Sequence, residues 1–111
     1  MPLAIRKITQ ENIAALEAAD RPALVEFSAN WCVYCRRIEP ALKRLSEKYA
    51  GKVDFGCVNI DDDPALEERF DVETVPSLFV YVASSWSEAL VAPSSEAEIE
   101  AFLRAYIEVN V

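Results

Sequence analysis

Short apolar runs and longer helical patterns alternate along this sequence, and this alternation constrains the fold more than any other feature. Apolar runs of strand length occupy residues 23–29, 52–60 and 77–83. Strands that alternate with helices favour a layered α/β fold with a partly parallel central sheet. After a serine turn, the run at 77–83 is followed by a further strand candidate at 86–91. We expect these two strands to pair antiparallel, because their connection is too short for a crossover.

Helix signals fill the segments between the strands. A first strand over residues 3–8 should lead into a helix that starts at Thr9, a favoured N-cap residue, and ends near Asp20. A second helix should cover residues 32–50, with a kink at Pro40 inside it.

Two more helices are expected in the second half of the chain. Asp63 is the predicted N-cap of a short helix over residues 64–70, which begins with proline. Ser95 and Glu98 fit a capping box at the start of the last helix. That helix carries an apolar stripe that should pack on the sheet, formed by Ile99, Phe102, Leu103, Tyr106 and Ile107.

The length and charge of the chain narrow its class. Its 111 residues are enough for about one domain, which we expect to span residues 1–111. The net charge of −8 argues against nucleic acid and anionic membranes, which attract basic patches. No apolar stretch approaches the roughly 20 residues of a membrane-spanning helix. Residues 1–10 lack the apolar run of a signal peptide, so we expect a cytoplasmic protein, or a periplasmic one if a leader has been removed.

Two of the three cysteines, Cys32 and Cys35, lie three residues apart directly behind an apolar strand. Zinc sites usually need four ligands, and without histidine only Cys57 and carboxylates remain to complete one. A purely structural disulfide gains little entropy from so short a loop. We therefore favour a redox pair and expect no bound metal.

The position of the pair suits thiol chemistry. Cys32 should lie at a helix N-terminus, where free N–H groups and the helix dipole stabilise an anion and lower the pKa of a thiol. Cys35 follows one turn later on the same face, at a Cα separation of about 5–6 Å, which is within disulfide reach. One cysteine can therefore attack a substrate disulfide, and the other can displace the product. Arg36 and Arg37 add positive charge nearby.

Four motifs together resemble the thioredoxin family. They are WCVYC after an apolar strand, Pro40 in the following helix, NID at 59–61 and TVPS at 74–77. The resemblance covers nearly the whole chain and implies an α/β thioredoxin fold, with a central mixed five-stranded sheet flanked by four helices. It also implies thiol–disulfide oxidoreductase activity, with Cys32 as the nucleophile and Cys35 as the resolving thiol.

The resemblance also implies a substrate surface. Pro76 corresponds to the family's cis-proline, which lies against the cysteine pair, whereas the residues alone would suggest a trans proline at the start of a strand. Trp31 and Val75 would flank the substrate groove, and Val33 and Tyr34 between the cysteines would also face substrate. The alternative for Trp31 is a partly buried core aromatic.

Glu26 interrupts the apolar strand at 23–29, where a charged side chain is rarely buried without a partner. The resemblance implies that this acidic residue assists proton transfer at the resolving cysteine. Burial would raise the pKa of its carboxyl toward neutrality, which suits a general base. The alternative is a side chain that faces solvent on the other side of the sheet.

Several positions depart from the family pattern. Val33 and Tyr34 stand in place of the Gly-Pro of thioredoxin, and this dipeptide strongly influences the reduction potential, so the direction of electron flow is open. Ser28 replaces the family's usual aromatic residue, and Ser84 and Ala92 replace typical glycines.

Cys57 is a further departure, because it replaces a lysine that is common in thioredoxins, on a central strand near Glu26. An inert core thiol is the ordinary role of a free cysteine. The alternative is a thiol close enough to Cys35 to compete for the disulfide. Losing the lysine also removes a positive partner, so we expect the Glu26 carboxyl to titrate higher than the family's aspartate.

The sequence therefore predicts an oxidoreductase that reduces protein disulfides through Cys32 and Cys35. We expect a monomer without a cofactor, since Gly51 and Gly56 are too few for a glycine-rich phosphate loop. Its partners would be disulfide-containing proteins and an external reductase or upstream dithiol protein. The alternatives are an electron-relay, oxidising or isomerase-like domain for a dedicated partner, and a non-catalytic binding module of the same fold.

Overall fold

The computed structural model describes residues 5–108, within which strands and helices alternate as the sequence predicts. Residues 3 and 4 of the predicted first strand lie outside the described residues. The strands are β1 (Ile5–Lys7), β2 (Ala23–Ser28), β3 (Asp54–Asn59), β4 (Ser77–Val82), β5 (Ser85–Trp86) and β6 (Leu90–Val91). The helices are α1 (Ile13–Ala18), α2 (Val33–Lys48), α3 (Pro64–Arg69) and α4 (Glu96–Ile107).

The strands form one mixed sheet in the order β1-β3-β2-β4-β5, and β6 also pairs with β4. β1 and β2 run parallel to β3, whereas β4 runs antiparallel to β2. This mixed sheet, flanked by helices, agrees with the predicted fold class. In the register between β2 and β3, Glu26 lies directly beside Cys57.

The predicted strand over 86–91 is present as two short pieces, so the described sheet has six strands instead of five. β5 pairs with the end of β4, and β6 pairs with its beginning. Between them, the Val80 N–H donates to the Ser87 hydroxyl oxygen at 2.8 Å, and the Ser87 N–H donates to the Val80 carbonyl at 2.8 Å. A side chain takes the place of a backbone acceptor here, and the regular ladder is interrupted.

The sheet separates two apolar cores. α2 and α4 pack on one face together with Leu24, and α1 and α3 pack on the other face together with Phe27. Successive side chains of a strand point to opposite faces, which explains why β2 contributes to both cores. The stripe of α4 is buried at Ile99 and Leu103 in the first core, as predicted. Glu26 shares the face of Leu24, so its carboxyl lies on the α2 side of the sheet.

Local sequence predicts two helix starts well. The Asp63 carboxylate accepts a hydrogen bond from the Leu66 N–H, and the Ser95 hydroxyl accepts one from the Glu98 N–H. In the predicted capping box, however, the Glu98 carboxylate accepts from the N–H of Ser94. The reciprocal bond is thus made one residue earlier than the pattern implies.

The prediction that Thr9 caps the first helix is wrong. α1 begins at Ile13, with Asn12 in the N-cap position. The Asn12 side chain accepts from the Thr9 N–H at 2.8 Å and donates to the Lys7 carbonyl at 2.9 Å. Asparagine bonds readily to nearby backbone groups, and here these bonds hold residues 9–12 in a turn.

Candidate active site

The two cysteines of the motif lie at the junction between β2 and α2. Cys32 occupies the N-cap position of α2, and Cys35 lies in the first turn. They are joined by a disulfide bond, with Cα atoms 5.3 Å apart. The Cys35 N–H donates to the Cys32 sulfur at 3.1 Å, so the helix N-terminus is directed at this sulfur. Backbone donors in this position stabilise a thiolate when the disulfide is opened.

The two cysteines differ in access. Cys32 retains 7% of its surface and Cys35 only 1%. Both pack with Ala29 in a small cluster that Ile60 and Val75 partly cover. An incoming disulfide can therefore reach Cys32 more easily than Cys35.

The loop that precedes β4 lies against the cysteine pair. The Val75–Pro76 peptide bond is cis, which is the isomer that the resemblance implies. The Val75 carbonyl oxygen lies 3.8 Å from the Cys32 sulfur. Pro76 is buried, and its carbonyl accepts from the Ala92 N–H at 2.8 Å. The structure thus brings residues 75 and 76 together with the cysteines.

Exposed apolar side chains adjoin the two cysteines in the sequence, and Val75 packs against the pair. Trp31 is 64% exposed, Val33 55% and Tyr34 37%, whereas Val75 is half-buried. We call these four residues the apolar rim. The alternative prediction for Trp31, a place in the core, is wrong. Its indole N–H instead donates to a carboxylate oxygen of Asp61 at 2.9 Å, which fixes the ring at the surface.

Tyr34 connects the first turn of α2 to the segment between β6 and α4. Its hydroxyl donates to the Pro93 carbonyl at 2.8 Å. In the same segment, Ala92 has a φ of +46°, and Ser84 in the β4–β5 turn has a φ of +65°. These are the two positions at which the family typically has glycine. Ser84 and Ala92 therefore adopt the left-handed backbone conformation, which glycine adopts most easily.

Glu26 is buried, with 3% of its surface exposed, so the solvent-facing alternative is wrong. Burial raises the pKa of this carboxyl to about 8. A hydrogen bond from Cys57 lowers this pKa and the charge of Glu39 raises it, both by less than burial does. The Cys57 sulfur lies 3.7 Å from Oε1, and Oε2 has no hydrogen-bond partner among the described residues.

A groove on the α2 side of the sheet reaches this carboxyl. Its volume is about 720 Å³. Glu26 and Cys57 line it from the sheet, and α2 lines it with both apolar and charged side chains. The charged ones are Arg36, Glu39 and Lys43. The buried carboxyl and the Cys57 thiol are therefore neighbours at the wall of a single groove.

Cys57 is half-buried and is the free cysteine of the chain. Burial, together with the neighbouring Glu26, raises the pKa of its thiol to about 12. The thiol is thus protonated at neutral pH, and a protonated thiol is not a nucleophile in disulfide exchange. This favours the unreactive role for Cys57 over competition with Cys35.

Some anchors of the site are not predicted by sequence reasoning. Asp61 holds Trp31, and its own N–H donates to the Asn59 side chain at 2.9 Å. Asn59 also donates to the side chain of Asn30 at 3.3 Å. The NID motif contains both Asn59 and Asp61, so this signal was present in the sequence. No sequence signal identifies Pro93, because its hydrogen bond with Tyr34 joins segments that are far apart in the sequence.

Two further findings bear on what the site can bind. Within residues 5–108, no group of three or more histidine, cysteine, aspartate or glutamate side chains is placed to hold a metal ion. In the same residues, no helix is both long enough and apolar enough to cross a membrane.

Comparison with known proteins gives a consistent result. A family model described as Thioredoxin matches residues 4–105. The thioredoxin of Alicyclobacillus acidocaldarius subsp. acidocaldarius is 29% identical over 96 residues, which cover 86% of this chain and 91% of that protein. The thioredoxin of Acidithiobacillus ferridurans is 31% identical over 85 residues, covering 77% and 79%.

A chloroplastic M-type thioredoxin of Brassica napus is 33% identical over 73 residues, or 66% of this chain. The match spans 41% of the Brassica napus protein and 54% of the corresponding Zea mays protein. The chain therefore spans about half the length of these plant relatives and most of the length of the bacterial ones.

Proposed function

Because this chain belongs to the thioredoxin family, we propose that it is a thiol–disulfide oxidoreductase that reduces disulfide bonds in other proteins. The observation that carries the proposal is the Cys32–Cys35 disulfide at the N-terminus of α2. Cys32 is the more exposed residue of the pair, and Val75 of the apolar rim packs against the cluster that contains both cysteines.

In the first step, the Cys32 thiolate attacks one sulfur of the substrate disulfide. A mixed disulfide forms between Cys32 and the substrate, and the other substrate sulfur leaves as a thiolate that takes a proton from water. The N–H of Cys35 and the dipole of α2 favour the attacking thiolate. Cys32 is thus the nucleophile in this proposal.

In the second step, Cys35 resolves the mixed disulfide. Its thiol gives a proton to the Glu26 carboxylate, and the resulting thiolate attacks the Cys32 sulfur. The bond from Cys32 to the substrate breaks, and the second substrate sulfur leaves as a thiolate. The substrate has then gained two electrons, and the Cys32–Cys35 pair has become a disulfide. An external reductase or an upstream dithiol protein returns the two electrons to the pair.

The apolar rim is the proposed contact surface for the substrate protein. Trp31, Val33 and Tyr34 are exposed next to Cys32 in the sequence, and Val75 packs against the cysteine pair, so these side chains are positioned to contact a protein that presents its disulfide to Cys32. Pro76 is buried and joins Val75 of the rim to β4. We propose that one thioredoxin-like domain over residues 1–111 acts as a monomer, in a reducing compartment such as the cytoplasm.

Trapping the mixed disulfide tests the order of attack. Cys35→Ser should accumulate a covalent adduct between Cys32 and a disulfide-containing test protein, because the resolving thiol is missing. Cys32→Ser is the matched control and should form no adduct. Mass spectrometry of the complexes distinguishes the two variants. An adduct that forms through Cys35 in the Cys32→Ser variant would contradict the assigned roles.

The reduction potential of the Cys32–Cys35 pair tests the direction of electron flow. A potential near about −270 mV, as for thioredoxin, is expected for a reductant. A value of roughly −180 to −120 mV would contradict the reducing role and point to an isomerase-like or oxidising protein. A pair with no reversible couple would leave a non-catalytic binding module as the better description.

A further inference from the structure

We propose that Cys57 is a positioning residue for Glu26: its thiol holds Oε1 and leaves Oε2 as the oxygen that exchanges the resolving proton. This inference rests on the proposed function, because it concerns the carboxyl to which Cys35 gives its proton. Cys57, which stands where thioredoxins commonly have lysine, would thus have a role in the reaction.

The register of the sheet brings the two side chains together. Glu26 and Cys57 are direct partners in the parallel pairing of β2 with β3, so their side chains leave the same face of the sheet. The Cys57 sulfur lies 3.7 Å from Oε1, within the range of a sulfur hydrogen bond. Oε2 is buried and has no partner among residues 5–108. One oxygen is thus occupied and the other is available.

The charged side chains around Glu26 make no direct contact with its carboxyl, although the charge of Glu39 raises its pKa. On α2, Arg36, Glu39 and Lys43 line the groove, and no hydrogen bond or ion pair joins any of them to Glu26 in the described part of the chain. On β4, the register partner of Glu26 is the apolar Leu78. On β1, the register partner of Cys57 is Lys7.

The Lys7 side chain forms an ion pair with a residue other than Glu26. Its ammonium is paired with the Asp62 carboxylate at 3.2 Å. Among the described residues, the Cys57 thiol is therefore the group that donates a hydrogen bond to the Glu26 side chain.

A thiol has the right properties for this position. The pKa of the Cys57 thiol is about 12, well above that of Glu26, so the thiol still carries its proton at the pH values at which Glu26 ionises. It can therefore donate a hydrogen bond to either form of the carboxyl. Burial raises the pKa of Glu26 to about 8, and the thiol, which is a weak donor, offsets only part of that rise. An ammonium would stabilise the carboxylate much more strongly, and an apolar side chain would leave both oxygens without a partner.

Titration of the Glu26 carboxyl is the direct test. We would follow its ¹³C chemical shift against pH in the wild-type protein, in Cys57→Val, which removes the donor at similar volume, and in Cys57→Ser, which keeps a hydroxyl donor. Cys57→Val should raise the midpoint by about half to one pH unit, a three- to tenfold change in proton affinity. Cys57→Ser should return the midpoint toward the wild-type value. Equal midpoints in the wild type and Cys57→Val would overturn the inference.

The rate of mixed-disulfide resolution connects this contact to the reaction. Its pH profile should move in Cys57→Val by the same amount as the carboxyl midpoint, and should move back in Cys57→Ser. A profile that stays in place while the carboxyl midpoint moves would overturn the positioning role. Because the carboxyl titration needs no turnover, it still reports on the contact if the reducing activity itself is absent.

Discussion

At the scale of single residues, the buried carboxyl of Glu26 makes folding depend on pH. Its pKa is about 8 in the folded protein, against an ordinary value of 4.5. The folded chain therefore holds this proton more tightly than the unfolded chain. The associated stability is fully present below pH 4.5 and is lost as the pH rises toward 8. A group that suits proton transfer near neutral pH thus destabilises the fold in the same range.

Replacing Glu26 by glutamine should remove this dependence, since an amide stays neutral at every pH. Between pH 4.5 and pH 7, the wild type should lose about 3 kcal/mol of unfolding free energy that Glu26→Gln retains. Urea denaturation at a series of pH values measures this difference. Glu88→Gln, at an exposed glutamate, is the matched control and should follow the wild type. If the unfolding free energies of Glu26→Gln and the wild type changed equally with pH, the raised pKa of Glu26 would be contradicted.

At the scale of secondary-structure elements, the β4–β5 hairpin is closed by residues poorly suited to its turn. Ala83 and Ser84 form a two-residue loop between the paired residues Val82 and Ser85, with φ values of +54° and +65°. Two positive φ values in a two-residue hairpin favour the type I′ turn, for which Asn-Gly is preferred. The left-handed conformation costs an alanine or serine about 1–2 kcal/mol relative to a residue that adopts it freely.

The double substitution Ala83→Asn with Ser84→Gly should therefore stabilise the protein, by about 1 kcal/mol or more. Thermal unfolding followed by circular dichroism measures the gain. Ala101→Gly in the exposed middle of α4 is the control, and should destabilise by about 0.5–1 kcal/mol because glycine loses more entropy in a helix. If the turn variant unfolds at a lower temperature than the wild type, the proposed strain at 83–84 is wrong.

The elements also show which features a sequence can predict. Asp63 and Ser95 are caps whose partners lie three residues away, and local sequence identifies both. The break between β5 and β6 depends on Ser87 bonding to Val80 on another strand, which no local pattern encodes. The redox pair is predicted from its spacing, its position directly behind an apolar strand and the absence of histidine.

At the site, the burial of Glu26 depends on contacts across the sheet. Its carboxyl meets Cys57 only because two strands far apart in sequence pair in this register. Residue types and spacing therefore predict the redox pair, and the family resemblance predicts proton transfer by Glu26. The tertiary structure is needed to show that this carboxyl is buried and that Cys57 donates a hydrogen bond to it.

At the scale of the whole molecule, one sheet supports two cores, and matched substitutions test whether they unfold together. Leu103 lies in the core under α4, and Leu66 lies in the core under α3, with at most 1% of either residue exposed. Leu103→Ala and Leu66→Ala should each cost about 2–5 kcal/mol, because each removes buried methyl groups and leaves a cavity.

Urea denaturation gives the cost of each change, and amide hydrogen exchange shows how it is distributed. Because β2 contributes to both cores, either variant should speed amide exchange to a similar extent in the helices on both faces of the sheet. Faster exchange confined to the substituted face would show two independently unfolding units. The reduction potential of the cysteine pair should be unchanged in both variants.

The interruption between β5 and β6 also affects how copies of this chain meet one another. An outer strand with a long row of unpaired N–H and C=O groups is a template for pairing with another molecule, and this is a common start of aggregation. Here the outer side of the sheet beyond β4 consists of two segments of two residues each. So short an edge offers an approaching strand from another molecule few backbone groups with which to pair. Together with the mutual repulsion of chains that each carry a net charge of −8, it should keep the protein dispersed at high concentration.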